Sequence, residues 1–461
     1  MRLSCPAMGG MMLYALLSLA DTYFIACLGA AALAALTLCL PLQVLIVSIA
    51  AASGTGVTSL IGRMLGQEQY RHADNIAWHG MAITALYSIF FLWLGYRYQE
   101  PLLILFGCTP ETLALCKGYL SIALPGSLFA MVQIILGSTL QGEGDTVLPV
   151  AASLIGIILN VALDPLFIFG WGPVPGMGLN GAAWAGLWAQ LGSLLMMLAI
   201  MARRKTYLSW SIQNFRLRPR IFLAIYKVGF PALVMELVGV LIMVYINRIL
   251  AFYSFEAVAA MGIFLRVRSL VFTPIGGLLQ GTMPIASFAF GAGRYERVKE
   301  VLVKASAMIL LLMSLGWWVM QFHPQWIVGF FSQDDALSRI AVASLRLGTV
   351  LLPLVGPIII LSTVLQAIGQ GMAAMWLSLT RQVLFFLPGL ILLPHYLGLN
   401  GVWLAFPVSE LLSVGIFAFF WVKLWRQLQP GRHTPMLLLI RSGAWARRLR
   451  AWLRWQEFYF W

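Results

Sequence analysis

Long apolar stretches recur along the chain, and short breaks containing Gly, Pro or charged residues separate them. A helix needs about 20 mostly apolar residues to cross a bilayer, so each stretch predicts one membrane-spanning helix. Twelve stretches are found, with centres near residues 15, 46, 87, 129, 158, 192, 238, 270, 311, 355, 384 and 413. The pattern predicts an all-α polytopic membrane protein with twelve transmembrane helices.

The composition supports this prediction. Of the 461 residues, 61% are hydrophobic and only 10% are charged, whereas about 25% are charged in an average soluble domain. Lys and Arg concentrate in alternate loops, above all in segments 203–227 and 294–304, and in the C-terminal tail. Cytoplasmic loops carry such an excess, so both termini are predicted to be cytoplasmic. The net charge of +14 then reflects topology and contact with anionic lipid, and nucleic acid is not an expected partner.

The chain also repeats itself with a period of about 225 residues. Three pairs of segments match between the halves: GQEQYRHADN at 66–75 with GAGRYERVKE at 291–300, STLQGEGD at 138–145 with STVLQAIGQG at 362–371, and GLNGAAWA at 178–185 with GLNGVWLA at 398–405. Six spans per half is an even number, so both halves enter the membrane in the same sense. Two parallel six-helix bundles with a central cleft are a known plan of secondary transporters.

The repeat divides the chain into four parts. We predict an N-terminal bundle at 1–204, a cytoplasmic linker at 205–222, a C-terminal bundle at 223–426 and a basic amphipathic tail at 427–461. Duplication could equally have produced a channel or a membrane enzyme. The sequence contains no GxxxxGK[ST] loop for ATP and no HExxH or other metal-ligand spacing. We therefore expect transport without enzymatic activity, with no cofactor other than Na⁺ or H⁺ as a coupling ion.

Carboxylates within predicted spans are costly and indicate function. Asp21 lies in the first span, and Asp164 in the fifth, within LNVALDPLFIFG. Asn160 precedes Asp164 by one helical turn, so both side chains lie on one face. Pro165 cannot donate to the carbonyl of Val161, which adds a free oxygen. This group could bind Na⁺ or hold a proton; alternatively, Asn160 caps or kinks the helix and Asp164 faces water.

A second set of charges lies in the other half. Glu236 in the seventh span has Arg266 or Arg268 as a possible partner, either in a structural ion pair or in substrate binding. Glu410 lies in the twelfth span. Asn247 occupies the position equivalent to Asp21, so the C-terminal half lacks that acid.

Aromatic, Met and amide side chains offer adaptable walls for organic molecules, although most such residues in membrane helices simply pack or face lipid. The candidates for the substrate cavity are Met131, Gln133, Trp184, Trp188, Gln190, Met235, Glu236, Arg266 and Gln382. Cys108 and Cys116 are predicted to share one outward-facing loop and could form a disulfide.

Several motifs together resemble the multidrug and toxic compound extrusion (MATE) family, and within it the bacterial DinF/MepA-like branches. They are DTYFIACLG, GTGVTSLIGRMLG, QGEGDTVLP, NVALDPLFIFG, GLNGAAWA, RSLVFTPIGGLLQGTMPIASFAFGAGRYERV and SLTRQVLFFLPGLILLP. The resemblance implies a V-shaped inner-membrane antiporter that exports cationic, often polyaromatic, compounds in exchange for Na⁺ or H⁺. It also implies that Asp21, Asn160 and Asp164 form the coupling site and, for Na⁺, its ligands.

The chain departs from the family pattern at two places. Gly186 stands where the sixth span often has a hydroxyl residue, and the tenth span lacks the acid of NorM-like members. An ion site in the C-terminal bundle is therefore not expected. The rival interpretation is a flippase for a lipid-linked glycan, which needs a basic cavity; only Arg266, Arg268 and Arg381 are available. We expect a monomer in the lipid bilayer with a small organic substrate.

Overall fold

The computed structural model describes residues 4–105, 108, 110–170, 175–203, 207–210, 215–331 and 334–429. The described part of the chain is almost entirely helical. Within it, eleven helices are long and apolar enough to cross a membrane, and one bent pair of helices makes a twelfth span. The predicted all-α class and the count of twelve spans are confirmed. From residue 430 onwards, the predicted amphipathic tail lies outside the described residues.

The N-terminal half has seven helices, of which α4 is short. They are α1 (Ser4–Ala26), α2 (Ala30–Gly66), α3 (Tyr70–Arg97), α4 (Gln99–Leu105), α5 (Pro110–Gly142), α6 (Val147–Ile168) and α7 (Leu179–Arg203). The C-terminal half contains α8 (Pro219–Tyr253), α9 (Phe255–Gly291), α10 (Tyr295–Phe322), α11 (Pro324–Gly329), α12 (Asp335–Gly348), α13 (Leu352–Ala367), α14 (Gly371–Leu379), α15 (Leu387–Leu397) and α16 (Leu399–Gln427). Residues Thr380–Phe386 form a π-helix between α14 and α15.

The internal repeat is visible in the helix lengths. Helices α2 and α9 both have 37 residues, and α3 and α10 both have 28. The matched segments GQEQYRHADN and GAGRYERVKE occupy the turn between these helices in each half. Each half has buried apolar clusters of its own, so the repeat corresponds to two bundles.

Two spans of the C-terminal half are less regular than the sequence predicted. The tenth span is bent by 55° between α12 and α13. Gly348 ends the first helix, and Pro353 lies in the first turn of the second, where a missing N–H is tolerated. The eleventh span contains the π-helix, a feature that often marks functional sites in membrane and soluble helices.

The two bundles meet through close backbone packing at one end of the molecule. A Cβ atom on Gly56 would lie 2.2 Å from the carbonyl oxygen of Ile225, and one on Gly291 would lie 2.2 Å from that of Arg63. Ser59 Oγ donates to the carbonyl oxygen of Gln366 at 2.7 Å. These residues lie near the same end of the helices as the basic loops. The cleft between the bundles therefore opens toward the opposite end.

The linker between the bundles is attached to α3. The amide of Asn75 donates to the carbonyl of Arg216 and accepts its N–H, both at 3.1 Å. Nε2 of buried His79 accepts the N–H of Arg218 at 3.0 Å, and the carboxylate of Asp74 accepts the hydroxyl of Ser209. The linker is thus part of the N-terminal bundle's surface.

Two predicted details are corrected. Helix α8 begins at Pro219, four residues before the predicted boundary at 223, because proline favours the first helical turn. Cys116 lies buried in α5 and not in a loop, with its sulfur 3.5 Å from that of Cys108. Both cysteines are free thiols, so the possible disulfide is not formed in this structure.

Candidate functional site

A pair of carboxyl groups lies inside the N-terminal bundle, where α1 packs against α6. Asp21 lies in the last two turns of α1, and its carboxyl group is within hydrogen-bonding reach of that of Asp164 on α6. Asp164 is completely buried. Its Oδ1 accepts the amide N–H of Asn160 at 3.2 Å, whereas its Oδ2 is buried with no donor. The structure therefore brings together all three predicted coupling residues.

This contact has a chemical consequence. An ionised carboxylate only accepts hydrogen bonds, so two ionised carboxylates repel each other and cannot bond. A proton shared between Asp21 and Asp164 removes the repulsion, and so does a cation held between them. With the amide oxygen of Asn160, the site offers carboxyl and amide oxygens, which are the ligands that hard cations prefer. The donor set is compatible with both H⁺ and Na⁺.

Other polar side chains near the acid pair were missed by sequence reasoning. Tyr119 on α5 is almost buried, accepts a 3.4 Å hydrogen bond from the amide of Gln43 on α2, and interacts electrostatically with both aspartates. Tyr14 on α1 interacts with Asp21. Polar residues within apolar spans were the available signal, but spacing along one helix cannot show which helices meet.

The predicted cavity residues of the N-terminal bundle have different environments. Met131 is completely buried in the bundle core, where Ser88 Oγ approaches its sulfur to 3.7 Å, so its predicted role as a cavity wall is wrong. Gln133 on α5 is half-buried beside Ser153 of α6. Trp184 is half-buried and Trp188 is exposed. Oε1 of Gln190 is buried and has no donor.

In the C-terminal bundle, the predicted partnership of Glu236 is wrong. Glu236 is exposed and forms no ion pair with Arg266 or Arg268, all three of which are among the described residues. Arg266 is exposed on α9, whereas Arg268 points into the bundle, because residues two apart on a helix face different directions. Met235 is half-buried.

The predicted cavity residue Gln382 lies in the π-helix. A Cβ atom on Gly239 of α8 would be 3.9 Å from its Oε1.

A group of charged residues that the sequence did not link lies inside the C-terminal bundle. Arg268 of α9 and Arg381 of the π-helix both interact electrostatically with Glu410 of α16. Glu410 is only 2% exposed. Neither arginine, each within the described residues, has a nitrogen within 4.0 Å of its carboxylate. We call these three residues the basic cluster, because their formal charges sum to +1.

Comparison with known proteins identifies the family. The family model MatE matches residues 6–166 and again residues 231–391. The chain belongs to the MatE family. The two matches begin 225 residues apart, which is also the separation of the glycines that open the matched segments at 66 and 291. The predicted resemblance is confirmed, and the protein is a multi-pass membrane transporter, not an enzyme.

Individual relatives extend this result. The chain is 31% identical to a FAD transporter of Shewanella oneidensis, over 91% of this chain and 93% of that protein. It is 24% identical to the multidrug export protein MepA of Staphylococcus saprophyticus, over 89% of this chain and 90% of that protein. A solved outward-facing multidrug resistance transporter of the MATE family aligns with a TM-score of 0.86 at 26% identity, over 92% of this chain and 95% of that structure.

Proposed function

We propose that this protein is a secondary active antiporter that exports organic compounds in exchange for Na⁺ or H⁺. Asp21, Asn160 and Asp164 form the coupling site. The observation that carries this proposal is the contact between two carboxyl groups inside the membrane, of which Asp164 has a buried oxygen with no donor. Such a pair needs a proton or a cation, so its occupancy responds directly to an ion gradient.

The pair also links the ion to helix movement. Asp21 and Asp164 belong to different helices, so ion binding draws α1 toward α6 and ion release lets the helices separate. Pro165 lies directly after Asp164 and removes one backbone hydrogen bond, which makes α6 easier to bend there. Exchange requires that ion and substrate weaken each other's binding, and this coupling is reciprocal.

We place the protein in a bacterial inner membrane with both termini cytoplasmic. The basic loops and the closed end of the cleft lie on the same side, so the cleft faces outward in this orientation. The outward-facing solved relative has the same overall fold, which supports this assignment. The transporter acts as a monomer.

Two relatives support different substrates. MepA is named for multidrug export, which agrees with the cationic, polyaromatic compounds implied by the family resemblance. The relative with 31% identity is named for FAD, an aromatic dinucleotide that carries a pyrophosphate. We propose aromatic organic compounds as the substrate class. The rival function, flipping of a lipid-linked glycan, draws support from the buried arginines of the basic cluster.

Efflux from proteoliposomes tests the proposal. Wild-type protein and Asp164→Asn would be reconstituted and assayed with ethidium and with FAD, under a Na⁺ gradient and separately under a proton gradient. We expect efflux by wild type under one of the gradients and background efflux by the variant. Glu68→Gln is the control, because Glu68 lies exposed in the turn between α2 and α3.

Equal gradient-driven efflux by wild type and Asp164→Asn would refute the coupling site. Translocation of a fluorescent lipid-linked glycan, without efflux of either soluble compound, would favour the flippase instead.

A further inference from the structure

We propose that the basic cluster of Arg268, Arg381 and Glu410 binds an oxyanion group, a phosphate or a carboxylate, on the exported compound. The inference rests on the proposed export of organic compounds and specifies part of the substrate. It assigns the two bundles different tasks, with the coupling ion bound in one and an anionic part of the substrate bound in the other.

The internal repeat shows that these charges are specific to the C-terminal bundle. Gln43 and Arg268 each lie 23 residues before the glycine that opens the matched segment at 66 and 291. Gln190 and Glu410 each lie 12 residues after the start of GLNG at 178 and 398. Both positions carry a neutral amide in the N-terminal bundle and a charge in the C-terminal bundle. The common fold therefore does not require the charges.

The charges of the cluster do not satisfy one another. Glu410 can neutralise only one of the two arginines, and it is not in direct contact with either. Nε of Arg381 and Oε2 of Glu410 are both buried without a hydrogen-bond partner. Buried polar groups normally have partners, so open donors around a net positive charge indicate an anionic ligand. Guanidinium groups match phosphate and carboxylate geometrically, since they donate two parallel hydrogen bonds.

The surroundings favour an oxyanion attached to an aromatic or apolar body. The guanidinium of Arg268 lies 5.0 Å from the ring centroid of Phe272 and 5.4 Å from that of Phe406. Phe386, the last residue of the π-helix, packs on Phe406 with centroids 4.7 Å apart. These rings hold Arg268 in place and reduce the local polarity, which strengthens its attraction for an anion.

The cluster is accessible enough to receive a ligand. Arg268 and Arg381 are both half-buried, and Gln382, next to Arg381, faces α8 across Gly239. The π-helix matters here because its wider turn changes the direction in which Arg381 projects compared with a regular helix. A purely structural ion network would instead be expected to close its hydrogen bonds and exclude the surface.

Equilibrium binding to purified protein tests this inference without any ion gradient. The probes are riboflavin, riboflavin 5′-phosphate and a flavin with a carboxymethyl group, which share one fluorophore and differ in charge. We expect wild type to bind the two anionic flavins more tightly than riboflavin. The ratio between the phosphate and the carboxylate then identifies which oxyanion the cluster prefers.

Three variants separate charge recognition from packing. Arg381→Gln should weaken binding of the anionic flavins about tenfold or more and leave riboflavin unchanged, since hydrogen bonds to charged groups are lost. Glu410→Gln should strengthen binding of the anionic flavins, because it removes the opposing charge. Arg266→Gln is the matched control, an exposed arginine two residues from Arg268 that should leave all three affinities unchanged.

Arg381→Lys covers the case in which Arg381→Gln does not fold, because it keeps the charge but loses the planar fork. It should bind the anionic flavins with reduced affinity and riboflavin normally. Equal wild-type affinity for riboflavin and both anionic flavins would overturn the inference. So would weakening of all three flavins in parallel by the Arg381 and Glu410 variants.

The proposed antiport can fail independently of this binding result. Anion-selective binding together with efflux that ignores both gradients would refute only the coupling, whereas gradient-driven ethidium efflux without anion-selective binding would refute only the basic cluster.

Discussion

The buried charges of the two bundles are opposite in sign, although the bundles share one fold. In the N-terminal bundle, Asp21 and Asp164 approach each other beside the neutral Gln43. In the C-terminal bundle, Asn247 replaces the first acid and Arg268 replaces Gln43. The helix lengths of the repeat are retained while the chemistry at equivalent positions has changed.

This difference shows how a duplicated membrane fold can divide its work. Backbone hydrogen bonding within the membrane fixes the helices, so the scaffold tolerates changes of side-chain charge only where a partner or ligand compensates them. Each bundle can therefore receive a ligand of opposite charge at its own site. Substitutions that exchange the chemistry of the two bundles are the strongest tests of this comparison.

The largest effect is expected from Asp21→Asn. The amide can donate a permanent hydrogen bond to Asp164 and so replaces the proton or cation that the pair normally requires. Gradient-driven efflux should fall to background, while the melting temperature no longer responds to Na⁺ or pH as wild type does. Efflux assays together with thermal melts in several ion conditions measure both effects. Efflux at the wild-type rate would show that Asp21 takes no part in coupling.

Gln43→Arg transfers the cation of the C-terminal bundle to the N-terminal one. A guanidinium beside Tyr119 would pair with Asp21 and Asp164 and compete with the coupling ion. Efflux at a fixed gradient should decrease at least about tenfold, equivalent to about 1.4 kcal/mol in ion affinity. Gln43→Lys and Gln43→Met separate the effect of charge from that of size, since only the charged variants should lose coupling. A similar loss in the Met variant would contradict the charge argument.

Asn75→Ala probes the contact between the linker and α3. It removes two hydrogen bonds to the backbone of Arg216 and should lower the free energy of unfolding by about 2 kcal/mol. Glu300→Ala is the control at the equivalent repeat position, where the side chain makes only an exposed ion pair with Lys304. Thermal melts in detergent should therefore show a clear decrease for Asn75→Ala alone. Equal melting temperatures would mean that the linker contact does not contribute to stability.

The smallest effect concerns Glu143, which follows α5 and accepts the N–H of Tyr207 at 3.3 Å. Burial raises the pKa of Glu143 from its ordinary 4.5 to about 7, against the lowering effect of the linker's backbone donors. The folded state thus binds the proton more tightly than the unfolded state, and this group's stabilising effect declines as pH rises from about 4.5 to about 7. Glu143→Gln should not show that decline. The difference in melting temperature between variant and wild type, measured from pH 4.5 to 8, should therefore increase with pH, and a constant difference would argue against the shift.

Much of the architecture could be predicted from local features of the sequence. Apolar runs such as the one that forms α6 must be helical in lipid, and the matched glycine-containing turns revealed the repeat. The bend at Gly348 and the π-helix were not predicted, because both depend on how neighbouring helices pack against the span.

The sequence by itself determined the spans, the two bundles and the identity of Asp21, Asn160 and Asp164 as a candidate site. Hydropathy and residue spacing along single helices are sufficient for these features. Only the tertiary structure decided that Met131 is core, that Glu236 forms no ion pair with Arg266 or Arg268, and that Arg268, Arg381 and Glu410 lie together. Those relations join helices far apart in the sequence, and the packing of whole helices, not local periodicity, sets the direction in which each charged side chain points.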